Sequence, residues 1–86
     1  MVEGIAKVIN PTGLHAVPAS QLTHFTNQFK CKIHFVQNGM SSNAKSILNI
    51  LALGIEQGMN VTVRVDGPDE KRVLRDVIHY IETLED

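Results

Sequence analysis

Hydrophobic positions along this chain recur with two different periods. Around residues 60 to 66, Val61, Val63 and Val65 alternate with Thr62 and Arg64, the period-two pattern of a strand with one buried and one wet face. Lys32 to Gln37 alternates in the same way, with Ile33 and Phe35 on one face and His34 and Val36 on the other. Asn38-Gly39 follows directly, a strong hairpin signal, and predicts a short return strand over Met40 to Asn43. Val2 to Ile9 carries β-branched and small apolar side chains without a helical cap and reads as a first strand.

Three other segments have helical spacing. From Ala16 to Phe29, the residues Leu22, Phe25 and Phe29 recur at intervals of three and four. After the turn Asp66-Gly67-Pro68-Asp69, an apolar stripe of Val73, Leu74, Val77, Ile78, Ile81 and Leu84 predicts a final helix. Between them, Ser46 is placed to cap a compact helix over Ile47 to Leu53, closed by Gly54. That helix is apolar almost all round, yet a short helix has one inward stripe, so Ile47 and Leu48 are expected to face out. The order strand, helix, strand, strand, helix, strand, helix predicts an α+β fold, an antiparallel sheet with helices covering one face.

Length narrows the reading to one domain, residues 1–86, with a single modest core. Eight Lys and Arg against nine Asp and Glu leave a net charge of −1, and the basic residues are scattered, which argues against a nucleic-acid binder. The longest apolar-rich segment, Ile47 to Ile55, is far short of the roughly 20 residues that cross a bilayer. No internal disulfide is open to the single cysteine, Cys31, and no cleavage-site pattern follows the N-terminus; a cytoplasmic protein is expected. Cys31 reads as a small buried or edge residue. His24, His34 and His79 lack partners at metal-ligand spacing and read as surface or rim residues, so no metal site and no cofactor are expected. A frayed, solvated terminus is expected at Glu85 and Asp86, and a monomer overall, since no residue demands an oligomer.

Candidate chemistry concentrates in Pro11-Thr12-Gly13-Leu14-His15-Ala16-Val17-Pro18-Ala19. Turn formers deliver His15 to the start of a helix, and Pro18 falls in the first helical turn, where a missing N–H costs least. The first amides of a helix have no intrahelical acceptor and carry a partial positive charge, so an anion on His15 would be held by the backbone of Ala16 and Val17. Imidazole is substantially neutral near pH 7, which leaves a lone pair to attack phosphorus. Taken alone, a histidine in a turn is more often a plain exposed residue; it is the flanking turn and proline that lift His15 above that reading.

Gly13-Leu14-His15-Ala16, Pro18-Ala19, Ala44-Lys45-Ser46-Ile47, Leu53-Gly54-Ile55 and Gln57-Gly58 together resemble HPr, the histidine-containing phosphocarrier family of the bacterial sugar phosphotransferase system. The likeness runs nearly end to end. It implies an open-faced β-sandwich, a four-stranded antiparallel sheet covered on one face by three helices. It further implies that His15 accepts a phosphoryl group from enzyme I and passes it to an enzyme IIA, the protein being a carrier and not an enzyme. Ser46 resembles the regulatory site that an HPr kinase/phosphorylase modifies in many Gram-positive bacteria, a form that joins a catabolite-control repressor. Thr12, Leu14, Val17, Ser20, Ile47, Leu48 and Leu51 are the expected partner-binding residues. A phosphate on Ser46 would add roughly −1.5 to −2 charges beside an apolar patch, repelling an acidic partner and attracting an arginine-rich one.

One departure stands out. The family pattern G-x-H-A-R-P-A has an arginine where this chain has Val17. Valine offers no fork to phosphate oxygens, and a hydrogen bond to a charged group is worth about 1.5–3 kcal/mol, or roughly ten- to a hundred-fold in rate if lost from a transition state. The first helix is also less basic than is usual in the family, with His24 and Asn27 in place of common lysines or arginines, which weakens steering toward an acidic enzyme I. These departures leave a second reading open: a regulatory protein acting mainly through Ser46, with weak or no carrier activity.

Overall fold

Alternating valines make β4 (Asn60–Asp66) the strand with a fully apolar inner face, and it takes an interior place in the sheet. In the computed structural model, which describes residues 1–85, the strands are β1 (Val2–Lys7), β2 (Lys32–Gln37), β3 (Met40–Asn43) and β4, in the order β1-β4-β2-β3. Every neighbouring pair is antiparallel. The register sets Val63 between Gly4 and Phe35, and Val65 between Val2 and Ile33, so one face is continuously apolar. Three helices cover that face: α1 (Ala16–Thr26), α2 (Ile47–Ala52) and α3 (Glu70–Glu82).

Phe35, Leu22, Ile33, Ile50, Ile55, Val63 and Ile81 are fully buried between the layers, each contributing roughly 1.5–3 kcal/mol against exposure. The stripe predicted for the last helix divides by depth: Val73, Val77 and Ile81 are buried, while Leu74 and Ile78 lie half-buried over β1. Both reach toward Gly4, where a Cβ would sit 2.9 Å from the tip of the Ile78 side chain. Across the other face Glu3, Arg64 and His34 share a rung, with Arg64 donating to Glu3 at 2.7 Å. That face carries no helix among the described residues.

Each helix and β1 is shorter than its sequence pattern suggests: α2 stops at Ala52 with Leu53 as its C-cap, and α3 stops at Glu82, leaving the buried Leu84 of its predicted stripe beyond the helix. β1 ends at Lys7, after which Val8 turns to bond Met59 (N···O 2.9 Å), so the apolar run through Ile9 overstates the strand. α1 ends at Thr26 and not at Phe29, because polar side chains compete for its last turn. The Asn27 amide donates to the carbonyls of Thr23 (2.7 Å) and Lys45 (3.0 Å), and the Thr26 hydroxyl donates to Ala44 O (2.8 Å). Phe29 still packs edge-on to Phe25 from the loop beyond, which is what produced the longer pattern. Cys31 is buried against Gly67, and His24 and His79 are exposed. Glu85 is exposed as expected, while Asp86 lies outside the described residues.

Candidate functional site

The histidine turn is built by local bonds and then clamped by a distant segment. Gly13 N donates to Asn10 O (3.1 Å), and the buried Asn10 amide returns to Gly13 O (2.7 Å), closing the loop on itself. Gly13 has φ +67°, and a Cβ there would lie 2.5 Å from Ile55 O and 2.7 Å from Glu56 Cα. Only glycine meets both demands without strain. The Leu14 amide then donates to Ile55 O at 2.9 Å, tying the turn to the chain just beyond α2.

His15 is the N-cap residue of α1, in extended conformation (φ −83°, ψ −170°), and its ring makes no capping bond. Its carbonyl accepts from Ala19 at 2.8 Å, the first turn of the helix. Pro18 has no N–H, and among the described residues nothing accepts from the amides of Ala16 and Val17. An exposed imidazole therefore stands beside two free donors at the positive end of an 11-residue helix, the arrangement that receives an anion. The ring opens on a cleft of about 360 Å³ lined by Pro11, Thr12, His15, Glu56 and Gln57.

Ser46 caps α2 in the conventional way. Its hydroxyl accepts from the Asn49 amide at 3.4 Å and its carbonyl from Ile50 at 3.1 Å. The bonds from Thr26 and Asn27 to Ala44 and Lys45 place this loop at the C-terminal end of α1, whereas Ile55 meets the turn at its N-terminal end. α2 thus runs back along α1, and His15 and Ser46 are separated by roughly the length of that helix, about 16 Å. Leu48 (74% exposed) and Leu51 (37%) face outward along this path, and Val17 is exposed at its far end.

Most residues expected to bind partners are on this surface: Thr12, Val17, Ser20, Leu48 and Leu51 are all exposed. Leu14 is not. It is 2% exposed, because the residue whose amide is pinned to Ile55 must turn its side chain into the core, and it is a packing residue. Ile47, expected outside with Leu48, is only half-buried and packs against the core. Asn10, one of the turn formers ahead of His15, closes the turn, and Gln57, read only as part of the family likeness, donates from its side-chain amide to Ile9 O at 3.0 Å. Reading along the sequence missed Glu56. Its signal was isolation: it is the lone Asp, Glu, Lys or Arg between residues 46 and 63.

Among the described residues no group of three or more His, Cys, Asp or Glu side chains is placed to hold a metal ion. No helix is long and apolar enough to cross a membrane among those same residues. A helix-roofed antiparallel sheet with a histidine at an uncapped helix start is the architecture of a histidine phosphocarrier. The family model "PTS HPr component phosphorylation site" matches residues 2–83. A phosphocarrier protein HPr of Buchnera aphidicola subsp. Acyrthosiphon pisum is 35% identical over 85 residues, covering 99% of this chain and 100% of the relative. The solved HPr of Bacillus anthracis superposes with TM-score 0.89 at 31% identity, covering 93% of this chain and 95% of that one. The Bacillus subtilis catabolite repression protein Crh, solved as a domain-swapped dimer, gives TM-score 0.77 at 32% identity, with 95% and 94% covered. The chain belongs to the HPr family of phosphocarrier proteins of the phosphotransferase system.

Proposed function

We propose that His15 carries the phosphoryl group, taking it from enzyme I and giving it to a sugar-specific enzyme IIA. The observation that carries this reading is the pair of free amides at Ala16 and Val17 beside the exposed ring. The imidazole lone pair forms a P–N bond as the bond from phosphorus to the donor breaks, and the bonding pair leaves with the donor. The new phosphate oxygens then accept from the two amides and feel the dipole of α1, while the P–N bond keeps the group transferable. The protein turns over no small molecule of its own.

A second reading is favoured by Val17 and by the likeness to Crh. In it, Ser46 is phosphorylated and the protein acts mainly as a corepressor in carbon catabolite repression. Leu48 and Leu51 lie on the helix between the two sites, so one apolar patch is within reach of a charge placed at either end. Both readings keep the protein in the cytoplasm as a monomer.

The deciding experiment follows labelled phosphate from phosphoenolpyruvate through enzyme I to the native protein, to His15→Ala and to Val17→Arg. Acid-labile label that disappears in His15→Ala establishes the carrier, and Val17→Arg is expected to gain roughly ten- to a hundred-fold in rate. Label on Val17→Arg alone transfers the weight to the Ser46 reading. Label on neither refutes the carrier role and the account of Val17 together.

A further inference from the structure

The segments that build the His15 site are almost without charge. Residues 8–29 contain no Asp, Glu, Lys or Arg, and residues 46–63 contain only Glu56. Neither α1 nor α2 therefore presents a lysine or arginine beside His15. Lys45, the nearest basic residue in the chain to Ser46, sits at the opposite end of α1, where its ammonium donates to the carbonyl of Phe29. Glu56 in turn is held where it matters. Its backbone lies against Gly13, its carbonyl accepts from Met59 N at 3.1 Å, and its exposed side chain lines the cleft shared with His15. No ion pair neutralises it among the described residues.

We propose that Glu56 is a specificity-determining residue of the His15 cleft: its unpaired carboxylate disfavours an approaching phosphate and selects a protein partner that brings a lysine or arginine over the cleft. This rests on the carrier reading for the identity of the partner, but the charge effect on His15 does not. A phosphoryl group arriving at His15 adds negative charge within the same cleft, where this chain supplies only uncharged donors, the two free amides and the polar side chains of Thr12 and Gln57 that line it. Val17 brings no charge to those amides and neither helix carries a lysine or arginine, so the balancing cation comes from the other protein. Partners with an acidic docking face are thereby disfavoured, and those with an apolar face carrying one basic side chain fit both Glu56 and the exposed Leu48 and Leu51.

A small donor separates the two parts. Phosphoramidate phosphorylates imidazole directly: the ring nitrogen forms the P–N bond, the bond from phosphorus to the amino nitrogen breaks, and that nitrogen leaves with the electron pair as ammonia. At low salt Glu56→Gln is expected to label on His15 about three- to tenfold faster than native protein, Glu56→Lys faster still, with the differences shrinking as salt rises. Glu3→Gln, the same charge change on the uncovered sheet face, is expected to label at the native rate. Equal rates for Glu56→Gln and native protein overturn the role of Glu56. With the enzyme I of the same cell as donor, which must bring a basic side chain over the cleft where the family's usual enzyme I is acidic, native kcat/KM is expected to fall as salt rises and Glu56→Gln to flatten that dependence. A native rate that climbs with salt overturns the basic partner. No transfer from enzyme I to any variant refutes the carrier reading instead, and the phosphoramidate rates still decide Glu56.

Discussion

α1 and α2 begin from the same kind of backbone and finish their first turns differently. His15 and Ser46 are both N-cap residues with extended conformations, and both carbonyls accept from the residue four positions on. Ser46 also supplies an oxygen to its own helix, at Asn49 N, whereas His15 leaves Ala16 and Val17 unsatisfied. A capped start is a structural solution, stabilising by satisfying its own donors. An uncapped one leaves its first donors open. The clamp that makes this tolerable is elsewhere, in the Asn10–Gly13 loop and its contact with Ile55, so the open start of α1 is held by tertiary bonds and not by its cap.

If that clamp does this work, Gly13→Ala is the most damaging change at either helix start. It combines a positive φ with a Cβ 2.5 Å from Ile55 O, and is expected to cost roughly 2–5 kcal/mol in urea unfolding. A cost below 1 kcal/mol would mean the turn is not what positions His15. His15→Ser makes the two starts alike: with the extended backbone already in place, a serine cap should stabilise the protein by about 0.5–1 kcal/mol while abolishing acid-labile phosphorylation. Loss of stability in that variant would show that the imidazole itself holds the turn. Ser46→Ala, the converse test, is expected to cost about 0.5–1 kcal/mol, the low end for a cap because the bond is 3.4 Å long, and to leave labelling of His15 unchanged.

The third helix start gives the smallest effect. α3 is entered through Asp69 in left-handed conformation without a side-chain cap, and Glu70 in its first turn accepts from Gly67 N at 3.2 Å instead. That bond, and then the Met1 amine 3.1 Å away, hold the Glu70 carboxyl below its usual value of 4.5. A lowered folded-state value means stability that is present above the unfolded carboxylate range and is lost as pH falls through the folded one. Thermal unfolding of native protein should therefore drop more steeply below pH 4.5 than that of Glu70→Gln. Parallel acid limbs would remove Glu70 from the account. Because the group is only part-buried at the surface, the difference should be slight and should shrink in salt.

Much of this was legible residue by residue. The alternation of Val61, Val63 and Val65, the Asn38-Gly39 hairpin and the stripe from Val73 to Ile81 are short-range patterns, and they emerge as β4, the β2–β3 turn and α3. His15, Pro18 and Ser46 are at helix starts because local chemistry decides where a helix begins. Where reading failed, a competing long-range contact was responsible. α1 stops early because Thr26 and Asn27 find Ala44 and Lys45, some eighteen residues away. Leu14 looks like a surface neighbour of His15 until Ile55 claims its amide and turns its side chain inward.

What this sequence determined alone was therefore the set of elements, the apolar faces that must meet, and the histidine and serine at two helix starts, since each depends on side chains within a few positions of one another. Tertiary structure alone decided that α2 returns along α1, that its end pins the histidine turn, and that Glu56 shares the His15 cleft. Those outcomes rest on hydrogen bonds and close contacts between residues some forty positions apart, as between Leu14 and Ile55, and no local periodicity encodes which distant carbonyl an amide will find.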